Sequence, residues 1–145
     1  MDTQVIEQSL NLIVVALISW FGIGSSILYG RNLVAFEKPF SLELVKHGVY
    51  DEKVHRSIMR TSWIGCGILF LASCIIVGLF VRQNVGIGLV MTAVGIFLAF
   101  FQKKRQGSSR NDDVRRYIKS HLISMDKEAI TRYLQEKYGW TLEQL

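Results

Sequence analysis

The chain has 145 residues, half of them hydrophobic, with 17 Lys and Arg against 12 Asp and Glu and a net charge of +5. Residues 8–30, 61–81 and 83–102 contain no Asp, Glu, Lys, Arg or His. What remains is a loop at 31–60 and a tail at 103–145, each too short to build a sizeable water-soluble core unaided, so an ordinary soluble domain is excluded.

About 20 apolar residues are needed for a helix to cross a hydrocarbon core of roughly 30 Å. The three stretches therefore predict an all-α membrane protein with three transmembrane helices. Residues 1–102 form the expected membrane domain and 103–145 a cytoplasmic tail. The first eight residues carry Asp2 and Glu7 and no Lys or Arg, unlike a signal peptide, so the first span is expected to be retained.

The first span carries Asn11, Ser19, Gly22 and Ser26 near one helical face, and Gly22, Ser26 and Gly30 form a series of small residues at every fourth position. Small residues let helices approach closely in lipid. Trp20 lies near mid-span, where its indole N–H needs a partner inside the protein.

In the loop, Pro39 is expected to open a short helix and Gly48 to close it. Phe40, Leu44, Val45 and Val49 alternate there with Glu43, Lys46 and His47, a pattern that predicts an amphipathic helix on the membrane interface. Asp51 is the expected cap of a following helix, with Glu52 in its first turn. That helix is expected to run unbroken for about 30 residues into the second span.

The second span has Gly67, Cys74 and Gly78 on one face; the third has Gly88, Thr92, Gly95 and Ala99. Only Arg82, Gln83 and Asn84 link the two, which predicts an antiparallel hairpin whose small-residue faces pack together. Cys66 and Cys74 are two turns apart on one helix and are expected to be free thiols packing as small apolar residues.

The tail begins with Lys103, Lys104 and Arg105, joined by Arg110, a basic group suited to anionic headgroups. Residues 106–111 read as a linker, and Asp112 or Asp113 as the cap of a helix bearing Val114, Tyr117, Ile118 and Leu122. Asp126 caps a second helix with Ile130, Tyr133, Leu134 and Tyr138 on one stripe, and Gly139 ends it. Thr141 and Gln144 have capping-box spacing, and Trp140 and Leu145 need cover. This docking tail has three possible seats: the membrane surface, the loop helix or a partner protein.

Charge sets the expected orientation. The loop has six Lys and Arg and the tail ten, whereas the N-terminus has none and the second turn only Arg82. Basic residues collect on the cytoplasmic side, which predicts N-out and C-in. The basic excess thus follows from topology and requires no nucleic acid.

No ionisable group lies within a span, which argues against a self-contained pump or coupled transporter. No phosphate loop, nucleophile elbow or zinc motif occurs. His47, His55 and His121 lack metal-ligand spacing and are expected to be solvated. The expectation is no enzyme, no cofactor and no metal.

Three spans, N-out and C-in with a basic tail, resemble the layout of class I phage holins, which implies an oligomeric pore. The segment Val49, Tyr50, Asp51, Glu52 and Lys53, ahead of two tightly joined spans, is similar to small membrane proteins of Gram-positive bacteria. The leading expectation is a small integral-membrane subunit or accessory scaffold of a bacterial inner membrane. It would self-associate, or join a larger complex, through small-residue helix faces and dock through its tail. A pore is the alternative.

Overall fold

A computed structural model describes residues 3–82 and 85–145. These residues are helical almost throughout, and no strand occurs among them. Gln83 and Asn84, the expected turn between the second and third spans, and Asp2 lie outside the described residues.

The first span does not end near Gly30. Helix α1 (Thr3–Ile18) passes through a π-helical segment (Ser19–Gly24) into α2 (Ser25–Asn32). A second π-helical segment (Leu33–Glu37) leads into α3 (Lys38–Lys46). The run Gln4–Lys46 is one helix of 43 residues, about 64 Å at 1.5 Å per residue. That is roughly twice a hydrocarbon core.

Pro39 therefore does not open a separate helix; it sits inside a continuous one. A proline there removes an amide donor and crowds the carbonyl one turn back. The helix accommodates it by widening, and the Lys38 N–H reaches Leu33 O. The first wide segment has the same signature, with the Ser25 N–H shared between Gly22 O and Trp20 O. Gly48, at φ 68°, ends the long helix as expected.

Helix α4 (Glu52–Val81) has the expected 30 residues, with Glu52 in its first turn. Asp51 immediately precedes it and accepts the His55 N–H on its carbonyl. Helix α5 (Val85–Gln106) runs past the apolar stretch through Lys103, Lys104 and Arg105. Three helices are long and apolar enough to cross a membrane.

The chain divides into two compact units, one holding residues up to Arg31 with Trp63–Gly107, the other Asn32–Ser62 with Ser108–Leu145. The loop thus belongs with the tail, not with the spans, because its apolar face finds a core there.

In the first unit the small residues decide which helices touch. A Cβ added at Gly95 would lie 2.5 Å from Ala16 O and 2.7 Å from Ser19 Cβ. One at Gly24 would lie 2.5 Å from Ala99 Cβ. Helix α5 therefore seats on the first helix. On α4, Ser73 occupies the space a Cβ at Gly22 would need, and the Cys66 thiol donates to Ser26 O at 3.2 Å. The expectation that the small faces of the second and third spans meet each other is corrected. Gly88 approaches Val81, but Gly67 and Gly78 have nothing within 4 Å of an added Cβ. The first helix is the common partner because its wide turn offers small residues on two faces. Val15, Ile23 and Val77 fill the centre, with Cys74, Met91 and Ile96 around them. Trp20 finds the partner its indole needs, donating to Gln102 Oε1 at 3.0 Å.

Gly95→Leu is expected to lower stability by about 3 kcal/mol or more, since backbone lies where the side chain would go. Gly86→Leu, placed in open space, is expected to leave stability unchanged or raise it by up to about 1 kcal/mol. Denaturation in mixed detergent micelles, followed by circular dichroism, measures both.

Candidate functional site

The second unit is built from two short pieces of chain, neither of which holds a core alone. Helix α3 presents Phe40 and Leu44, and α4 begins after the link bearing Val49 and Tyr50. Against them pack α6 (Arg110–His121) and α7 (Lys127–Tyr138), joined by a 3₁₀ turn at Leu122–Ser124. The buried cluster adds Val114, Tyr117, Ile118, Met125, Ile130, Tyr133 and Leu134.

Of the three seats open to the tail, the loop helix is the one occupied. Ile130 and Leu134 are fully buried and Tyr133 nearly so, while Tyr138, Trp140 and Leu145 pack at the edge. The apolar face of α3 is likewise covered by protein, so it does not lie open for a lipid interface. Phe40 meets Tyr117 edge-on at 5.4 Å and stacks with Phe36 at 5.3 Å. Aromatic pairs of this kind add about 0.5–1.5 kcal/mol beyond burial.

Local signals hold the tail helices in register. The cap of α6 is Ser109, not Asp112 or Asp113. Ser109 Oγ accepts the Asp112 N–H and Asp112 Oδ2 accepts the Ser109 N–H, a reciprocal capping box. The linker is consequently only residues 107–109. Asp126 caps α7 as expected, accepting the Glu128 and Ala129 amides at 2.9 Å each. The Asp126 N–H also donates to Val49 O at 2.7 Å, tying tail to loop. Gly139, at φ 67°, closes α7. Thr141 and Gln144 form their capping box. Trp140 stacks on Tyr138 at 4.7 Å and carries the Arg115 guanidinium 4.5 Å from its ring.

Buried polar groups run through this core. Ser41 Oγ bonds His55 Nδ1 at 2.5 Å and makes a short bond to Tyr50 OH. Tyr50 OH bonds Tyr117 OH at 2.9 Å. All four residues are buried. His55 is thus not the solvated histidine its loop position implied; burial holds its pKa below the ordinary value. Burial pushes both tyrosine hydroxyls up. Glu37, in the second wide turn, accepts from Asn32 Nδ2 at 3.1 Å, and burial raises its pKa. Glu43 is different: burial pushes its pKa up, but bonds from Lys137 and Tyr133 outweigh this and hold it low. His47 is exposed and lies against the Tyr133 ring at 5.0 Å.

None of Glu37, Ser41, Tyr50, His55 and Tyr117 was marked as a site by its sequence context. The available signal was Glu37, Ser41 and Leu44 at i, i+4 and i+7, polar groups on a stripe otherwise apolar. Among the described residues, no three His, Cys, Asp or Glu groups could hold a metal ion.

The small residues of the spans divide into used and unused sets. Ser19, Gly22, Ser26, Gly88, Gly95 and Ala99 are buried, and Asn11, Gly30, Cys74 and Thr92 half-buried. The Ser26 hydroxyl donates to Gly22 O at 2.6 Å and that of Thr92 to Gly88 O at 2.9 Å. The Ser19 hydroxyl has no partner among the described residues. Asn11 and Gly88 line a small cleft with Gln8, Val15 and Phe80. Gly67 and Gly78 are exposed, as are Lys103, Lys104, Arg105 and Arg110.

The chain matches no known protein family, no curated protein and no solved structure.

Ser41→Ala is expected to lower the stability of the second unit by about 1–3 kcal/mol, because it strips Tyr50 and His55 of a buried partner. Lys137→Met tests Glu43. A carboxylate held low stabilises the fold above its ordinary 4.5, and that share is lost as pH falls through the folded value. The gap in urea midpoint between wild type and variant is therefore expected to be constant above about pH 5 and to close below it.

Proposed function

We propose that this chain is a small integral-membrane assembly subunit or accessory scaffold of a bacterial inner membrane. Its spans supply a helix-packing surface, and the loop and tail together form a folded cytoplasmic module. The distribution of Lys and Arg supports N-out and C-in, since loop and tail hold sixteen of the seventeen. The exposed Lys103, Lys104, Arg105 and Arg110 are suited to anionic headgroups on that side.

The observation that carries the reading is on α4. Of the three small-residue faces, those of the first and third spans are used within the chain. On the second, Cys74 packs against the centre of the unit, but Gly67 and Gly78 are left with open space beside them. A glycine in a helix interior costs about 1 kcal/mol relative to alanine. In lipid that cost is offset when another backbone packs against it. The occupant is either a second copy or a different membrane subunit, and the mass of the assembly separates the two.

The pore reading finds less support. Of its polar stripe of Asn11, Ser19, Gly22 and Ser26, the last three are buried against α4 and α5 while Asn11 is half-buried beside a small cleft, and the hydroxyls of Ser26 and Thr92 are spent on their own helix carbonyls.

In mild detergent or nanodiscs, the wild-type chain is expected as a defined oligomer or with a stoichiometric partner. A Gly67→Leu, Gly78→Leu double variant is expected as a monomer with unchanged helical content. A strictly monomeric wild type with no co-purifying chain would overturn the reading. Ser26→Asp separates scaffold from pore: in a dry contact within the chain the charge disrupts packing of the spans and lowers stability, while a pore tolerates it and changes ion selectivity.

A further inference from the structure

Two helices of the second unit carry exposed cations to one place. The link 47–51 folds α4 back against α3, and Ser41 Oγ lies 2.5 Å from His55 Nδ1 where the two meet. Each residue advances about 100° around its helix axis. In helices running in opposite senses, that advance carries side chains toward the same flank. Lys38, three residues before Ser41, and Arg56, one after His55, therefore share a flank. Arg60 follows Arg56 at i+4 on the same face of α4, and all three are exposed. Side chains lean toward the N-terminus of their own helix, so Lys38 and Arg60 lean toward each other.

We infer that Lys38 and Arg60, with Arg56 beside them, seat the phosphate of an anionic phospholipid where these helices leave the membrane. Charges of one sign brought together across two helices repel, and the fold does little to offset them. Glu52 pairs with Arg56 at 3.5 Å, but their side chains are 66% and 69% exposed, so the pair contributes little. Among the described residues, Lys38 and Arg60 make no ion pair. The His55 ring registers the cluster: burial is the main cause of its lowered pKa, Glu52 opposes the shift, and Lys38 and Arg56 add to it. An anion seated between the cations removes their repulsion.

Depth along the helices selects the kind of anion. Arg60 is the last charged residue before the uncharged stretch 61–81. Lys38 lies beyond the uncharged stretch 8–30 by about 12 Å of helix. The headgroup layer is about 5–7 Å thick on each side of the hydrocarbon. Arg60 starts inside that layer, and the long stem of Lys38 carries its ammonium back toward it. Val34, one turn before Lys38 and 59% exposed, offers the glycerol end of a lipid an apolar contact. The inference rests on these helices being spans and is independent of the assembly role.

Thermal unfolding of the full chain in mixed micelles, with phosphatidylglycerol replacing phosphatidylcholine at constant total lipid, tests this. The parent carries Lys103→Gln, Lys104→Gln, Arg105→Gln and Arg110→Gln, which removes the basic start of the tail from the measurement. Phosphatidylglycerol is expected to raise its unfolding midpoint saturably, and inorganic phosphate to leave it unchanged. Adding Lys38→Gln and Arg60→Gln is expected to weaken the apparent affinity about thirtyfold, at about fivefold per charge near the surface. Adding Lys46→Gln and Lys53→Gln instead removes the same charge beside the link, at the far end of both helices, and is expected to keep the parent's affinity. A flat parent, an equal response to inorganic phosphate, no loss with the first pair or equal loss with both pairs would overturn the inference. Relief of repulsion also predicts that, in phosphatidylcholine alone, the Lys38→Gln, Arg60→Gln chain unfolds no lower than its parent. A lower midpoint would mean that the fold already satisfies these cations, and would overturn it too.

Discussion

A proline inside a helix deletes one amide donor and places a ring against a carbonyl, and the first helix absorbs both by widening at Leu33–Glu37. A wide turn adds a residue, which rotates the face that follows it. Beyond it, Phe40, Ser41 and Leu44 lie together as the buried stripe of α3. Without that stripe, α6 and α7 have no apolar surface to cover, and Ser41 does not reach Tyr50 and His55. The core of the second unit and its polar contacts both depend on that stripe.

The first unit depends on the earlier wide turn in a related way. Ser19–Gly24 holds two glycines and a serine in six residues. Gly22 receives Ser73 of α4, and Gly24 receives Ala99 of α5. Lipid tails are as apolar as leucine, so hydrophobic burial does not select which span meets which; close approach of small residues does. That places the first helix at the centre of the unit and leaves the Gly67 and Gly78 side of α4 open. The proposed assembly role rests on that asymmetry.

The second unit shows how two fragments reach stability that neither has alone. Thirty-one residues of loop and thirty-eight of tail form a cluster of eleven buried side chains. Ser41 is satisfied by Tyr50 and His55 and Glu43 by Tyr133 and Lys137, while the buried Arg115 Nε has no hydrogen-bond partner among the described residues. A network satisfied in this way favours one packing arrangement over its competitors, because any slip strands a buried donor.

Three spans, the 30-residue α4, the Asp126 cap and the Gly139 stop were legible in the residues themselves. Each depends on a local rule: uninterrupted apolar length, an acceptor ahead of free amides, or a backbone that tolerates positive φ. The Ser109 cap lay three residues before the acidic pair that drew attention, and only the geometry separated cap from capping-box partner. What local rules do not reach is pairing at long range. Tyr50 and Tyr117 are 67 residues apart and Lys137 and Glu43 are 94 apart. Small residues mark a helix face as able to pack without naming its partner, so Gly95 read as a partner for the second span and lies against the first. By itself the sequence determined the solvent, the helices and most of their ends, since hydropathy and capping act within a few turns. Tertiary structure decided which faces meet and which polar groups are buried, since those depend on which surfaces the folded chain brings within a few ångströms of one another.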